Sequence, residues 1–253
     1  MTVTQHGASG KTVLVTGASS GIGRAVARRF AQDGWLVMLA GRDQQKLLSL
    51  QQELPGSSMH ASKLENSAAC DALVEVTIGQ FGRLDALINC AGIIQRKTAQ
   101  ETDDACWAET MRINLDVPFY LSRGALPYLT QSRGAIVNIA SDWGLNAGRN
   151  AAAYCASKGG LVMLTKSMAL DHAKDGVTIN AVCPGDVDTP MLVNEAAQRG
   201  VDYQEAMATN NADVPTGRIT KPEEVAALCA FLCSDQARQI TGTAMLIDGG
   251  ANA

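Results

Sequence analysis

Tyr154 and Lys158 are the residues whose types and spacing most directly predict chemistry in this chain. Because they are four residues apart in a predicted helix, both side chains lie on one face of that helix. A phenol has an ordinary pKa near 10 and acts as a base near neutral pH only when that pKa is lowered. A neighbouring ammonium favours the phenolate. The pair therefore predicts proton transfer to or from a substrate oxygen.

Two further segments are placed to meet this pair. Ser141 follows the strand predicted at residues 135–140, at the sheet edge where ligands bind, and its hydroxyl is suited to hold a substrate oxygen. Residues 191–215 are polar and rich in Asn and Gln, which predicts a loose segment that serves as a substrate lid or binding loop.

A glycine-rich segment, residues 16–23, lies between a predicted strand and a predicted helix. Glycines there permit a tight turn, a close approach of backbone N–H groups to a phosphate, and tight packing of helix on strand. The segment therefore predicts dinucleotide binding at a helix N-terminus. The same residues also fit the nucleophile elbow of an α/β-hydrolase. That enzyme needs a late histidine, and only His172, in mid-helix without an evident acidic partner, follows His60.

Gly41 and Arg42 lie about twenty residues further on, where an NAD-binding unit commonly has an acid for the ribose 2′-hydroxyl. No acid occupies that position. The small glycine leaves room, and the guanidinium can pair with a 2′-phosphate, so NADP(H) is the favoured cofactor and NAD(H) the alternative. A solvent-exposed arginine at a helix start is the competing interpretation.

Short apolar runs alternate with helical patterns along the 253 residues. Strands are predicted near residues 12–16, 36–40, 58–61, 84–89, 135–140, 178–182 and 244–247, and helices near residues 21–33, 43–53, 67–81, 103–130, 152–174 and from 221 onward. Nearly wholly apolar strands separated by helices indicate a doubly wound α/β fold, with helices flanking a central parallel sheet. In the absence of a linker composition, we expect a single Rossmann-type domain over residues 11–253 and a flexible tail over residues 1–10.

Composition excludes several classes of protein. Apolar residues make up 46% and charged residues 18%, which is typical of a globular chain. The net charge of −4 and the lack of a basic run argue against nucleic-acid or anionic-membrane binding, and no apolar stretch approaches the ~18 residues of a membrane span. The first ten residues lack signal-peptide features, so we expect a cytoplasmic protein. Seven cysteines in mostly apolar runs indicate reduced thiols, and we assign no metal.

Several motifs in order resemble the short-chain dehydrogenase/reductase family in its compact single-domain form. They extend from residue 12 to about residue 250 and are Thr16-Gly17-x-x-x-Gly21-x-Gly23, Asn89-Cys90-Ala91-Gly92, Asn114, Ser141, Tyr154-x-x-x-Lys158, Pro184-Gly185 and Asp248-Gly249-Gly250. The resemblance implies an NAD(P)-dependent oxidoreductase that interconverts a secondary alcohol and a ketone by hydride transfer. It also implies a homotetramer, which fits the apolar final helix and strand.

The resemblance implies a role for each matching residue. Tyr154 is the general acid/base, Lys158 lowers its pKa and binds the nicotinamide ribose, and Ser141 polarises the carbonyl. Asn114 holds a water that links Lys158 to solvent. The implied cofactor-binding residues are Gly17, Ser19, Ser20, Gly21, Ile22, Gly23, Arg42, Leu64, Asn89, Ala91, Gly92, Tyr154, Lys158, Pro184, Gly185, Val187 and Thr189. Asn89 is alternatively a structural residue, and Lys63 stands where the family usually has an adenine-binding Asp, which leaves that contact to the backbone near Leu64.

Polar residues near the expected nicotinamide position predict the substrate. The predicted substrate-binding residues are Ser141, Trp143, Asn150, Tyr154 and Asp186. With Asp142, Arg96 and Arg149 nearby, they suit a polar sugar, polyol or sugar acid, as in the polyol and gluconate-type dehydrogenases of the family. The alternatives are a 3-oxoacyl-thioester reductase, a cofactor-sensing protein without activity, and an epimerase or dehydratase.

Overall fold

The computed structural model describes residues 10–253, so the tail expected at residues 1–10 lies almost wholly outside the described residues. Seven strands form one parallel sheet: β1 Thr12–Thr16, β2 Leu36–Gly41, β3 Ser58–Ala61, β4 Ala86–Asn89, β5 Ala135–Ile139, β6 Thr178–Pro184 and β7 Ala244–Ile247. Their order in the sheet is β3-β2-β1-β4-β5-β6-β7. This arrangement confirms the predicted doubly wound α/β fold.

Helices connect the strands in sequence order: α1 Gly21–Gln32, α2 Gln44–Glu53, α3 Ser67–Phe81, α4 Asp104–Met111, α5 Val117–Ser132, α6 Ala152–His172, α7 Pro190–Gln198, α8 Tyr203–Asp213 and α9 Pro222–Leu232. A π-helical turn, Arg112–Asp116, joins α4 to α5, so the helical stretch predicted at residues 103–130 is one interrupted helix. Short 3-10 turns occupy Asp142–Gly144, Ala173–Asp175 and Asp235–Ala237. None of the helices described in residues 10–253 is long and apolar enough to cross a membrane.

Alternating side chains of the central strands enter two separate apolar layers. In β1, Val13 and Val15 are fully buried on the side of α1 and α9, whereas Leu14 is buried on the side of α3 and α5. A strand covered on both faces favours successive apolar residues, which explains the run Val13–Val15 between Thr12 and Thr16. The two layers fix the strand ends that position the site.

The prediction of a loose segment at residues 191–215 is wrong, because α7 and α8 occupy most of it. Pro190 begins α7 at a position where its missing N–H costs nothing. The Asp202 carboxylate caps α8 and accepts from the backbone N–H groups of Gln204 and Glu205 at 2.8 and 3.4 Å. In α8 the buried residues are Ala206 and Asn210, so the apolar periodicity that normally indicates a helix is weak there.

Candidate active site

A cleft of about 970 Å³ opens at the carboxyl ends of the strands. The strand order reverses between β1 and β4, and the loops that follow these two strands diverge there, as ligand sites in open α/β sheets require. The glycine segment lines one end of the cleft, and Ser141, Tyr154 and Lys158 line the other. The fold therefore brings the two predicted halves of the site together.

The glycine turn is built for close backbone approach. Gly17 and Gly21 have left-handed backbones, with φ of 67° and 51°. A Cβ on Gly23 would lie 2.3 Å from the Gly17 carbonyl oxygen, so only glycine lets α1 begin this close to the turn. The N-cap residue of α1, Ser20, makes no side-chain capping bond, which leaves the first N–H groups of the helix facing the cleft. These residues fit a dinucleotide pyrophosphate.

Thr16 connects this turn to the loop after β4, a role that was not predicted from the sequence. Its hydroxyl accepts from the backbone N–H groups of Cys90 and Ala91 at 3.0 and 3.1 Å. The loop after β4 is thereby tied to the end of β1, beside Gly17. The signal was present in the sequence as a threonine at the start of the glycine motif.

The end of the cleft beyond the glycine turn fits an adenosine moiety. Arg42 is exposed, lines the cleft and has no ion pair or hydrogen bond to any residue in the described part of the chain. A Cβ on Gly41 would meet Ser19 Oγ at 3.5 Å and both Leu47 methyl carbons at 3.6 Å, which is ordinary van der Waals contact. Lys63 and Leu64 line the same end, where the Leu64 carbonyl accepts from Arg112 Nη1 at 3.1 Å.

The expected catalytic side chains are all buried at the other end. Ser141, Tyr154 and Lys158 are 6%, 8% and 4% exposed. Lys158 Nζ donates to the Ile139 carbonyl at 2.8 Å and lies 5.8 Å from the centroid of the Tyr154 ring. The tyrosine ring packs edge-on against Trp143, with centroids 6.2 Å apart. These contacts fix the direction in which the Tyr154 hydroxyl points.

The protein alone raises the pKa of Tyr154 rather than lowering it. Burial is the main cause, and the carboxylates of Glu195 and Asp142 add to it, whereas a hydrogen bond with Ser141 acts in the opposite direction. Lys158 is not among the largest causes of this shift. The expectation that Lys158, assisted by a positively charged nicotinamide, lowers the Tyr154 pKa stays a prediction; in the structure the Lys158 ammonium donates to the Ile139 carbonyl.

Asn114 lies in the π-helical turn between α4 and α5, and both donors of its side-chain amide are used. Its Oδ1 accepts from the Ile93 N–H at 2.9 Å, and its Nδ2 donates to the Ile93 carbonyl and to Ser157 Oγ at 2.9 and 3.0 Å. A Cβ on Gly92 would lie 3.4 Å from both Asn114 Oδ1 and Lys158 Nζ. Glycine at this position therefore keeps the space between the asparagine and the lysine open.

Charged groups converge on the substrate end of the cleft. Asp142, Asp186 and Glu195 all line it, and burial raises the pKa of each. Glu195 pairs with Arg96 at 2.9 Å, and the Arg96 guanidinium lies 4.8 Å from the centroid of the Trp143 ring. Glu195 was not predicted from the sequence, because Glu195 lies within the segment expected to be loose and belongs to no recognised motif.

Some predicted residues lie elsewhere. Asn89 is buried beneath the cleft, where its Nδ2 donates to Asn138 Oδ1 and Ser122 Oγ at 2.8 and 3.2 Å, so its position fits the structural alternative. Asn150 is exposed, has a left-handed backbone with φ of 52° and does not line the cleft. The remaining cofactor-side residues line it, namely Ile22, Ala91, Pro184, Gly185, Val187 and Thr189.

The burial of Lys158 lowers the stability of the folded protein at neutral pH. Burial lowers the Lys158 pKa from 10.5 to about 8. Between these values an unfolded chain binds the proton and the folded chain does not, so this residue makes stability rise with pH from about 8 to 10.5. Lys158→Met is therefore expected to raise the free energy of unfolding by about 2 kcal/mol at neutral pH, with a gain that shrinks above pH 8. Urea unfolding across this pH range measures it.

The exposed Lys166 on the same helix provides the control for that change. Lys166→Met removes the same charge without relieving any burial, so its effect should stay within about 0.5 kcal/mol at every pH. If Lys158→Met and the wild type had the same free energy of unfolding at every pH, the expected destabilisation by the buried Lys158 would be contradicted.

Known proteins match nearly the whole chain. A family model described as enoyl-(acyl carrier protein) reductase matches residues 17–252. The meso-2,3-butanediol dehydrogenase of Serratia marcescens is 39% identical over 245 residues, which are 96% of this chain and 95% of that protein. The crystal structure of an actinorhodin polyketide ketoreductase variant with NADPH superimposes with a TM-score of 0.91 at 34% identity, covering 96% of this chain and 98% of its own.

A sugar-oxidising relative has the same architecture. The ligand-free aldohexose dehydrogenase of Thermoplasma acidophilum superimposes with a TM-score of 0.88 at 34% identity, covering 96% of this chain and 94% of its own. The chain therefore belongs to the short-chain dehydrogenase/reductase family of oxidoreductases, whose members act on alcohols and ketones.

Proposed function

We propose that this protein interconverts a secondary alcohol and a ketone of a neutral polyhydroxylated compound, a sugar or polyol, with NADP(H) as the preferred cofactor. The observation that carries the proposal is the acidic substrate end of the cleft, formed by Asp142, Asp186 and Glu195. Carboxylates accept hydrogen bonds from several substrate hydroxyls at once. The names of the butanediol and aldohexose dehydrogenases support the same substrate class.

A substrate that carries its own negative charge fits this end less well. Arg96, one candidate for binding a substrate carboxylate, is already paired with Glu195, and Arg149, the other, is exposed outside the cleft. Within the class the sequence predicts, a neutral sugar or polyol is therefore favoured over a sugar acid. The same negative charge disfavours the phosphate-bearing carriers of 3-oxoacyl thioesters. Because the chain is similar to a polyketide ketoreductase, the experiment below still includes 3-oxoacyl thioesters.

In the proposed mechanism, Tyr154 exchanges a proton with the substrate oxygen and Ser141 orients that oxygen. Lys158 and the first N–H groups of α1 hold the cofactor, as do Arg42 and the loop containing Gly92. When bound, the nicotinamide supplies the redox chemistry. The protein groups alone disfavour the Tyr154 phenolate, and the positive charge of an oxidised nicotinamide bound in the cleft would oppose that effect. The buried position of Tyr154 keeps bulk water from the proton it transfers.

Three further features belong to the same proposal. The helices α7 and α8 together form the substrate lid, because Glu195 lies on α7 and lines the substrate end. A homotetramer would cover exposed apolar side chains such as Met163 and Leu170, which are 62% and 82% exposed. We propose a cytoplasmic location.

The proposed function is tested by following the absorbance of the reduced nicotinamide while purified protein meets NADP or NAD with a panel of substrates. The panel contains polyols, aldoses, sugar acids, small diols and, in the reductive direction, 3-oxoacyl thioesters. We expect turnover with neutral polyols or sugars and at least about tenfold lower kcat/KM for the corresponding sugar acids. Turnover confined to thioesters would replace the proposal with the acyl-reductase alternative.

Arg42→Ala is expected to raise the KM for NADP at least about tenfold and to change the KM for NAD less than twofold, because only NADP has a 2′-phosphate for the guanidinium to pair with. Initial rates with each cofactor at saturating substrate measure both values. Arg149→Ala is the matched control, since Arg149 is also exposed but lies outside the cleft. Equal losses with both cofactors in Arg42→Ala would contradict the preference for NADP.

A further inference from the structure

Asp142 follows Ser141 and takes up the serine's only hydroxyl proton. Ser141 Oγ donates to Asp142 Oδ1 at 2.9 Å, and the Trp143 N–H donates to the same oxygen at 2.8 Å. The Trp143 N–H also lies 3.1 Å from Ser141 Oγ. A serine hydroxyl has one proton to donate and an ionised carboxylate has none, so in this arrangement the proton lies between the two residues.

The C-terminal turn holds the other oxygen of Asp142 in place. Asn252 Nδ2 donates to Asp142 Oδ2 at 3.2 Å and to Asp248 Oδ2 at 2.9 Å. Asp248 is itself fixed by the backbone N–H groups of Gly250 and Asn252, at 3.0 and 3.1 Å, and Asn146 Nδ2 donates to Asn252 Oδ1 at 3.0 Å. Residues far apart in the chain thus fix the Asp142 carboxylate in the orientation that faces Ser141.

We propose that Asp142, anchored by Asn252, is a positioning residue that makes Ser141 an acceptor and so favours binding of the alcohol over its ketone. The inference rests on the proposed function, because it assigns Ser141 to the substrate oxygen. A ketone oxygen has only lone pairs and needs a donor, whereas an alcohol can donate to a lone pair of Ser141 Oγ. Asp142 therefore competes with the ketone, but not with the alcohol, for the hydroxyl proton of Ser141.

The test compares KM for one alcohol with KM for its own ketone in the intact enzyme. The pair used is the polyol or sugar with the highest kcat/KM in the substrate panel, together with the ketone it forms. Asp142→Ala releases the serine proton, and we expect the ratio of the ketone KM to the alcohol KM to fall about fivefold, the gain of one hydrogen bond. Loss of the Asp142 contacts with other substrate hydroxyls raises both KM values together and leaves this ratio unchanged. Asn252→Ala leaves the carboxylate in place but loosens it, and should lower the ketone KM at least about twofold.

Asp142→Asn supplies the conservative variant, because its amide oxygen still accepts from Ser141 and Trp143. Its ratio of ketone KM to alcohol KM should lie within about twofold of the wild-type ratio, whereas a purely structural loss would change both KM values together. If turnover persists, either of two results would overturn the inference. One is a parallel change of both KM values in Asp142→Ala, and the other is a higher ketone KM in Asn252→Ala. Absence of turnover with every alcohol–ketone pair would instead overturn the proposed function.

Discussion

Tyr154→Phe is expected to lower kcat about 10³-fold in both directions, because it removes the group that we propose to exchange a proton with the substrate oxygen. The phenyl ring keeps its edge-on contact with Trp143 and its place in the small apolar cluster with Ile94 and Ala151. The fold and cofactor binding should therefore survive. Steady-state rates, thermal unfolding and cofactor titration of the same preparation separate the loss of chemistry from a loss of structure.

Tyr128→Phe is the matched control, since this partly buried tyrosine lies on α5 outside the cleft. The same atom is removed there, and kcat should not change. Retention of more than about a tenth of kcat in Tyr154→Phe would contradict its assignment as the general acid/base. The wild-type pH profile gives a second check: because the protein raises the Tyr154 pKa, alcohol oxidation should still increase with pH through the alkaline range.

The sheet and the glycine turn could be predicted from sequence because each depends on local patterns. A strand buried on both faces, such as β1, needs an unbroken apolar run, and Gly17, Gly21 and Gly23 stand between that run and a helical pattern. Tyr154 and Lys158 were found for a similar reason, since helical spacing alone places them on one face.

The substrate end could not be predicted in the same way, because it depends on contacts between distant segments. Arg96 and Glu195 are about a hundred residues apart and form their ion pair only when α7 folds over the cleft. Because the segment around α7 is polar and rich in Asn and Gln, α7 was not predicted as a helix, and the position of Glu195 was missed with it. The rise of the Tyr154 pKa in the protein alone could not be predicted from spacing, because its main cause is burial, which only the folded chain provides.

Gly23→Ala is expected to weaken cofactor binding at least about 100-fold, since the added Cβ would lie 2.3 Å from the Gly17 carbonyl oxygen and 2.6 Å from its carbon. Both are backbone atoms of the glycine turn, so α1 must move away from the turn to relieve the clash. The N–H groups at the start of α1 then lose their approach to the pyrophosphate. Overpacking of this kind also costs about 1–3 kcal/mol of stability. Cofactor titration by calorimetry and thermal unfolding with and without NADP measure both effects.

Gly79→Ala separates this clash from the general effect of replacing glycine in a helix. Gly79 is exposed on α3, and a Cβ there meets no atom within 4 Å, so alanine should raise stability by about 0.5–1 kcal/mol and leave cofactor affinity unchanged. The two variants make the same chemical change in helices of the same protein, and only one of them touches the turn. Cofactor affinity within about threefold of wild type in Gly23→Ala would show that α1 can move without loss of the phosphate contacts, and the close approach of helix and turn would then not be what binds the dinucleotide.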